Sequence, residues 1–337
     1  MAMAAFDYPL PPDRIAQVPA EPRDSARMMV AVDAAGAAGA VEDRTVSDLP
    51  GLLRPGDVVV VNETRVIPAR LHLRRATGGA AEVLLLERTG DGWWVALVRP
   101  GRRLPPGSVL AGEEGMTVEV GHYLAGGRRL VRLTPPIGCS ETEAVARSGV
   151  IALPPYISRP LPDPERYQTV YSARPGSVAA PTAGLHLTGS VLQRCRDAGA
   201  AIEFVDLAVG LDTFRPVTAE RWADHVMHSE RYVVTEETLA ACRAATRVVA
   251  IGTTTVRALE AAAATGELEG RTDLFITPGF DFRVVDVLMT NFHLPRSSLL
   301  LLLAAFVGDR WRALYDRALA EGYRFLSFGD AMLVSRT

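Results

Sequence analysis

Two short polar blocks contain the residues best suited to chemistry. The first spans Pro181–His186 and the second spans Thr290–His293. Small residues such as Gly184 let a backbone approach a ligand closely and permit unusual dihedral angles. A histidine near neutral pH can act as a general acid or base, and an asparagine can both donate and accept hydrogen bonds. Taken singly, each block is equally compatible with an ordinary turn or with a capped strand end.

A third block, Asp224–Glu230, contains two histidines three residues apart, with carboxylates on either side. This spacing could ligate a metal, but nothing else in the chain completes a convincing site, so no metal is predicted. A general acid–base role for His228 or Glu230 is the better hypothesis. An exposed polar loop is the alternative.

A fourth block, Gly252–Thr255, lies between an apolar run and a helical pattern. The free N–H groups at the start of a helix attract carboxylates and phosphates. Arg257, in the first turn of that helix, could add a planar set of donors. Ordinary capping by threonine is the alternative.

The elements that would position these blocks alternate between strand and helix. Val58–Val61 is a β-branched run typical of a strand buried on both faces, and Val248–Ile251 and Val284–Leu288 are further strand candidates. Leu299–Val307 is an apolar run too short to span a bilayer, so it predicts a buried helix. Polar groups at the carboxyl ends of such strands are well placed for a ligand crevice.

The segment from Leu71 to Pro136 has a different pattern, in which short β-like runs alternate with glycine- and proline-containing turns. This spacing predicts a small antiparallel barrel or sandwich. The runs are Glu82–Leu86, Trp93–Val98, Thr117–Val120 and Leu130–Leu133. The sequence therefore predicts a large α/β domain formed by residues 1–69 and 151–337, with a small antiparallel β-barrel domain inserted at residues 70–150.

Composition excludes several classes of enzyme. The chain has no lysine, which rules out a Schiff-base lysine and a Walker A lysine. Its three cysteines show no CxxC spacing, and the first residues lack the pattern of a secretory signal. These features predict a cytoplasmic protein that is not embedded in a membrane.

Charge is unevenly distributed along the chain. The net charge is −3, yet residues 69–137 contain ten arginines and six acids, so this stretch is +4 and the remainder is −7. A locally basic module on an acidic body could contact a polyanion. Arginines that merely solvate strand faces are the alternative.

The blocks occur together and in a characteristic order from one end of the chain to the other. In this respect the chain resembles the S-adenosylmethionine:tRNA ribosyltransferase-isomerase family of queuosine biosynthesis. The matching segments are Phe6–Tyr8, Ile15–Gln17, Asn62–Leu71, Leu153–Ile157, Tyr167–Tyr171, Ala179–His186, Met227–Glu230, Gly252–Thr254, Thr290–Pro295 and Tyr323–Phe325.

The resemblance implies an enzyme with a large α/β domain and an inserted β-barrel. It implies transfer of the ribosyl part of S-adenosylmethionine to 7-aminomethyl-7-deazaguanine in the tRNA anticodon, with rearrangement to epoxyqueuosine and release of adenine and methionine. S-adenosylmethionine is then a consumed substrate, and no cofactor, metal or obligate protein partner is implied. The expected partners are S-adenosylmethionine and the tRNA anticodon stem-loop.

The implied chemistry assigns tasks to particular residues. The sulfonium acidifies the C5′ protons, so a base must reach one of them, and His186 or His293 is expected to transfer protons, with His228 and Glu230 as further candidates. Departing adenine needs a donor, and the modified base must be flipped out of the tRNA. The expected substrate contacts are Asn291 to ribose or adenine, Thr253, Thr254 and Arg257 to an anion, Arg65 and Arg70 to phosphate or carboxylate, and also Tyr156, Gln168, Thr182, Gly184 and Asp212.

The chain departs from the family pattern most clearly at one block, and Leu187 also stands where phenylalanine is usual. Where the family usually reads Leu-His-Val-Gly-x-Gly-Thr-Phe, Ala208 replaces the histidine and Asp212 replaces the second glycine. Three hypotheses therefore stay open: the tRNA-modifying enzyme, a paralogue that uses the same pocket with a different, non-tRNA acceptor, and a non-catalytic nucleoside- or RNA-binding protein.

Overall fold

The computed structural model describes residues 2–32, 41–210 and 216–337. These residues form two compact units, each of which is continuous in space but not in sequence. The first unit comprises Met1–Thr64, Pro154–Arg174 and Ala180–Thr337, and the second comprises Arg65–Leu153 and Pro175–Ala179.

Strands and helices are numbered along the chain. The strands are β1 (Arg27–Ala31), β2 (Glu42–Thr45), β3 (Asp57–Asn62), β4 (Thr64–Val66), β5 (Arg70–Arg75), β6 (Ala80–Arg88), β7 (Trp94–Arg99), β8 (Ser108–Ala111), β9 (Thr117–Tyr123), β10 (Arg129–Thr134), β11 (Gly149–Val150), β12 (Arg174–Ser177), β13 (Ala201–Leu207), β14 (Glu230–Val234), β15 (Arg247–Ile251), β16 (Glu269–Thr272), β17 (Val287–Asn291) and β18 (Ala331–Ser335). The α-helices are α1 (Glu141–Ser148), α2 (Gly189–Asp197), α3 (Glu236–Ala244), α4 (Thr253–Thr265), α5 (Ser298–Val307) and α6 (Arg310–Ala320).

A nine-stranded mixed sheet forms the centre of the first unit, in the order β16-β14-β13-β3-β15-β17-β18-β1-β2. The strands β13, β3, β15 and β17 are parallel to one another. The strand β3 is buried along its whole length, as its run of valines predicted. Its neighbours in register include Val59 opposite Val249, so β-branched side chains pack on both faces of the central strands.

The helix α5 confirms the prediction of a buried apolar helix. Its leucine-rich run is enclosed in the core, and the side chain of Ser297 caps its first turn by accepting a hydrogen bond from the N–H of Leu300 at 3.2 Å. Gly308, with φ of 59°, ends it. In the part of the chain that the structure describes, no helix combines the length and apolarity needed to cross a bilayer.

One strand lies three residues later than the sequence pattern predicted. The interpretation of Val284–Leu288 as a strand was wrong at its start, because β17 begins at Val287. The buried carboxylate of Glu260 accepts hydrogen bonds from the N–H groups of Arg283, Val284 and Val285 at 2.9, 3.1 and 3.0 Å. These backbone groups are therefore bound to a side chain of α4 rather than to a neighbouring strand.

The second unit contains a closed antiparallel barrel. Its strands follow the order β5-β6-β7-β10-β9-β8, and pairing of β5 with β8 closes the ring. The guanidinium of buried Arg129 donates to the carbonyl oxygens of Leu104 and Gly121 at 2.9 and 2.7 Å. The fold class predicted from the sequence, an α/β domain with a small antiparallel barrel, is confirmed.

Candidate active site

A cavity lies at the edge of the large sheet where the parallel strands end. It holds about 570 Å³ of space between its wall atoms, part of which is open to solvent. Its wall contains no charged side chain among the residues that the structure describes there. The lining residues are Tyr156, Ala180, Pro181, Thr182, Ala183, Val209, Gly252, Thr253, Thr254, Thr290, Asn291, Phe292, His293, Leu294, Ser297, Leu299, Leu326 and Ser327.

The two polar blocks meet at this cavity because of the sheet topology. The block Thr290–His293 starts inside β17 and leaves its carboxyl end, while Thr182–His186 forms a short 3-10 helix that packs against that end. The hydroxyl of Thr182 donates to Oδ1 of Asn291 at 2.9 Å, although 109 residues separate them. The structure thus brings together two blocks that the sequence could only place in order.

Asn291 links Thr182 to His186. Its Nδ2 lies 3.0 Å from Nε2 of His186 and 3.4 Å from the carbonyl oxygen of Asp330. A carbonyl can only accept, so the amide nitrogen must face Asp330 and therefore also donates to His186. The neutral His186 ring consequently carries its proton on Nδ1. His186 is absent from the cavity lining, so it reaches the cavity through Asn291.

His293, by contrast, lines the cavity directly. Its Nε2 lies 3.2 Å from the hydroxyl of Thr290. Its backbone is fixed on both sides, because its N–H donates to the hydroxyl of Tyr315 at 2.8 Å and its carbonyl oxygen accepts from the hydroxyl of Tyr8. This histidine is therefore held rigidly with its ring at the cavity wall.

Burial sets the charge of both histidines. Desolvation lowers the pKa of His186 to about 4, and it lowers the pKa of His293 to about 3. The carboxylate of Asp330 opposes this effect at His186 without cancelling it. Both rings are therefore neutral near pH 7, and neither opposes a cationic ligand.

The start of α4 forms another part of the wall. Gly252 precedes the helix with φ of 89°, a conformation that favours glycine, and it turns the chain from β15 into α4. The side chains of Thr253 and Thr254, both 6% exposed, follow in the first turn. Among the described residues, no side chain accepts a hydrogen bond from the first N–H groups of α4, and these groups lie at the cavity end of the sheet.

Arg257 lies in the second turn of α4 rather than in the predicted first turn, because the helix begins at Thr253. It forms a buried ion pair with Glu230 outside the cavity lining. Nη1 of Arg257 donates to Oε2 of Glu230, and Nε donates to the carbonyl oxygen of Leu274 at 3.1 Å. The other carboxylate oxygen of Glu230 accepts from the N–H of Gly210 at 2.9 Å. The pair therefore connects α4 and β14 to the chain that leaves β13.

Three further expected residues surround the same region in different ways. Tyr156 lines the cavity, and its hydroxyl lies 2.7 Å from that of Ser327; burial raises its pKa. Gln168 is buried, and its backbone carbonyl oxygen accepts a hydrogen bond from Arg23 at 2.8 Å.

Gly184 does not have a positive φ. A Cβ there would lie 2.0 Å from the hydroxyl of Tyr171, so a larger residue would force that side chain to move; close approach replaces the unusual dihedral that the sequence suggested.

The remaining predicted residues are not brought to the cavity. Arg65 and Arg70 belong to the second unit, where Nε of Arg70 lies 3.8 Å from a carboxylate oxygen of Glu82. His228 is exposed and outside the cavity lining. Asp212 lies outside the described residues. Among those that are described, no cluster of three or more histidine, cysteine and acidic side chains suited to a metal was found.

Asn62 lies behind the cavity wall. The polar stretch Asn62–Arg65 at this strand end indicated a place where sites tend to lie, but the sequence assigned no role to Asn62 itself. It is fully buried at the end of β3, and its Nδ2 donates to the hydroxyl of Thr254 at 3.2 Å and to the carbonyl oxygen of Leu207 at 3.0 Å. Its position at the carboxyl end of a central strand was the available signal.

Comparisons with known proteins identify the family of the chain. The sequence model of the family described as "Queuosine biosynthesis protein" matches residues 3–334. The chain is 52% identical over 331 residues to the S-adenosylmethionine:tRNA ribosyltransferase-isomerase of Rubrobacter xylanophilus, covering 98% of this chain and 96% of that protein. It is 48% identical over 349 residues to the protein of the same name from Thermus thermophilus, covering 98% and 99%.

A solved structure gives the same result. The crystal structure of S-adenosylmethionine tRNA ribosyltransferase from Thermotoga maritima has a TM-score of 0.55 and 36% sequence identity to this chain, and the match covers 98% of this chain and 99% of that one. The chain belongs to the queuosine biosynthesis protein family.

Proposed function

We propose that this protein is an S-adenosylmethionine:tRNA ribosyltransferase-isomerase. In this reaction the ribosyl part of S-adenosylmethionine is transferred to 7-aminomethyl-7-deazaguanine in tRNA and isomerised, which yields epoxyqueuosine-tRNA, adenine and methionine. The observation that carries the proposal is the cavity at the carboxyl end of the parallel strands, in a chain about half identical to relatives bearing that name. Because the proposed acceptor is tRNA, the proposed place of action is the cytoplasm.

The described part of the cavity wall carries no charged side chain, which suits a sulfonium substrate. A cationic side chain beside the sulfonium would repel it, whereas neutral histidines, threonines and apolar groups would not. The described lining contains no arginine, so the methionine carboxylate needs another partner. The N–H groups at the start of α4, with Thr253 and Thr254, supply the donors that a carboxylate prefers. Arg257 does not line the cavity, and it stabilises the first turn of α4 through its ion pair with Glu230.

His293 is the proposed base for a C5′ proton, because its ring lines the cavity and is neutral near pH 7. His186 contacts Asn291 rather than the cavity, so its proposed role is to orient Asn291 for contacts with ribose or adenine. Tyr156 and Thr182 complete the proposed contacts at the wall. Arg65 and Arg70, on the second unit, remain candidates for contacts with tRNA phosphates.

Adenine release is the measurement that tests the function. The protein is incubated with S-adenosylmethionine, with and without tRNA that carries the aminomethyl-deazaguanine. Adenine released only with that tRNA supports the proposal, release with a different acceptor supports a paralogue, and no release with any acceptor supports a binding protein. His293→Gln is expected to lower the rate of adenine release by at least about a hundredfold, the usual contribution of a general base.

A further inference from the structure

Two threonine hydroxyls in the cavity wall have their hydrogen-bond directions set by asparagines behind them. Nδ2 of Asn62 lies 3.2 Å from the hydroxyl of Thr254, and Oδ1 of Asn291 lies 2.9 Å from the hydroxyl of Thr182. An amide nitrogen can only donate and an amide oxygen can only accept. The contact with Asn62 therefore uses a lone pair of the Thr254 hydroxyl, whereas the contact with Asn291 uses the hydrogen of the Thr182 hydroxyl.

The orientation of Asn62 is fixed by the backbone of Leu207. Its Oδ1 accepts the N–H of Leu207 at 3.1 Å, and its Nδ2 donates to the carbonyl oxygen of the same residue at 3.0 Å. Reversal of the amide would place Nδ2 against the N–H of Leu207, which is donor against donor. It would also place Oδ1 against the carbonyl oxygen of Leu207, which is acceptor against acceptor. Asn62 therefore donates to Thr254. Since no described residue accepts the hydroxyl hydrogen of Thr254, we assign that hydrogen to a partner in the cavity.

The orientation of Asn291 is fixed by the carbonyl oxygen of Asp330 and by Nε2 of His186, both of which face its amide nitrogen. Its Oδ1 must then accept the hydroxyl hydrogen of Thr182. Thr182 thus has lone pairs, and no hydrogen, for the cavity.

We propose that Asn62 and Asn291 give the cavity a fixed polarity, in which Thr254 donates a hydrogen bond to the substrate and Thr182 accepts one. The identity of the substrate rests on the proposed function. Thr254 lies in the first turn of α4, so its donor adds to the N–H groups that favour an anion and faces the methionine carboxylate. Thr182 accepts from a donor of S-adenosylmethionine: the ammonium, a ribose hydroxyl or the adenine amino group.

The order of strands in the sheet explains why Asn62 and Asn291 can both orient a threonine hydroxyl at the same cavity. The strands β3 and β17 lie on either side of β15, which leads into α4. Asn62 and Asn291 are the last residues of β3 and β17, so their side chains flank the turn into the helix at the same edge. Asn62 does not line the cavity and acts through Thr254, so it is a positioning residue.

The polarity of Thr254 is tested with calorimetric binding of S-adenosylmethionine and of its decarboxylated analogue, without tRNA. Thr254→Val is expected to lower the affinity for S-adenosylmethionine by about tenfold or more, which is the range for loss of a hydrogen bond to a charged group. The affinity for the decarboxylated analogue should not change, and Thr254→Ser should restore most of the loss. Thr255→Val is the matched control, because that hydroxyl donates to the carbonyl oxygen of Ile251 at 2.7 Å and not to the cavity.

Thr182 is tested in the same way with four analogues, each of which lacks one donor: the ammonium, the 2′-hydroxyl, the 3′-hydroxyl or the adenine amino group. Thr182→Val should lower the affinity for S-adenosylmethionine by about two- to tenfold if the donor that Thr182 binds is neutral. The affinity should fall by more if that donor is the ammonium. The loss should disappear for one analogue. A loss that persists with all four, or no loss with S-adenosylmethionine, would overturn the assignment of Thr182.

Asn62→Asp tests the positioning role. A carboxylate oxygen in place of Nδ2 would accept the hydroxyl hydrogen of Thr254 and remove it from the cavity. S-adenosylmethionine should then bind at least as weakly as it does to Thr254→Val, because the added carboxylate also repels the carboxylate of the ligand, and binding of the decarboxylated analogue should not be weakened. Equal losses with both ligands, in Asn62→Asp or in Thr254→Val, would show a merely structural role and refute the inference. Failure of the unsubstituted protein to bind S-adenosylmethionine would refute the proposed function instead.

Discussion

At the scale of single residues, burial controls the chemistry of the two histidines. His186 and His293 are 5% and 6% exposed, and their lowered pKa values keep them neutral in the folded state. Neutrality makes His293 able to accept a proton and makes Nε2 of His186 able to accept the hydrogen bond from Asn291. The same burial opposes protonation, so it links the site to the stability of the fold at low pH.

The stability of the protein should therefore fall in mild acid because of these histidines. The unfolded chain binds protons near the ordinary histidine pKa of 6.5, whereas folded His186 does so only near 4. Its contribution is fully present above pH 6.5 and is lost as the pH falls toward 4. From pH 7 to pH 5, His186→Gln should lose about 2 kcal/mol less unfolding free energy than the unsubstituted protein.

Urea unfolding at the two pH values measures this difference. His72→Gln, which replaces an exposed histidine of the barrel, is the control and should behave like the unsubstituted protein. An identical pH dependence in His186→Gln and the unsubstituted protein would contradict the prediction.

At the scale of elements, α4 connects several parts of the site. Its first turn accepts the hydrogen bond from Asn62, Arg257 in its second turn pairs with Glu230 of β14, and Glu260 holds the backbone that leads into β17. The helix is buried along most of its length, so these polar contacts lie in a medium where they are strong and where an unpaired charge is costly. The position of the helix start thus depends on the ion pair.

Removal of one partner of that pair should be strongly destabilising. Glu230→Ala leaves the Arg257 charge buried without its carboxylate, which typically costs about 3–5 kcal/mol of unfolding free energy. The double variant Glu230→Ala with Arg257→Met should recover part of the loss, because it also removes the unpaired charge. Denaturant unfolding of the four members of the cycle gives the coupling energy.

The exposed pair Arg221–Asp224, with N···O of 2.8 Å, is the control for this cycle. Asp224→Ala should change the stability little, because solvent screens that pair. If Glu230→Ala lowers the free energy of unfolding no more than Asp224→Ala does, the pair between Arg257 and Glu230 does not stabilise the fold.

At the scale of the whole molecule, charge is divided between the two parts of the sequence. The stretch 69–137 carries +4 and the rest carries −7, and the barrel is formed from that stretch. Not every arginine there can meet a polyanion, since Arg129 is buried and bound to carbonyl oxygens. Arg102 and Arg103, by contrast, are exposed in the turn after β7.

Reversal of these two charges should weaken tRNA binding. Arg102→Glu with Arg103→Glu is expected to reduce the dependence of log affinity on log salt by about 0.7–0.9 for each phosphate that the protein no longer neutralises. Arg194→Glu with Arg196→Glu, on the exposed side of α2, changes the net charge equally and should not reduce that slope. Equal slopes in both double variants would exclude the turn as a tRNA-binding element, and unchanged binding of S-adenosylmethionine would show that the fold is intact.

Much of the fold could be predicted from the sequence, because its signals are local. The valine run of β3, the leucine run of α5 and the turn-punctuated barrel segment each reflect a periodicity of burial that neighbouring residues carry. The late start of β17 could not be predicted, since it depends on Glu260, a residue more than twenty positions away. The inserted-domain limits of 70–150 stay a prediction.

The sequence by itself determined the residue types of the blocks Pro181–His186, Gly252–Thr255 and Thr290–His293, each of which contributes residues to the cavity wall. Only the tertiary structure decided what each side chain does there. It placed His186 behind Asn291, bound Arg257 to Glu230 and gave Asn62 a partner in Thr254, 192 residues away. The physical reason is that residue type sets which hydrogen bonds and charges are available, whereas the meeting of distant strand ends sets which of them are already used.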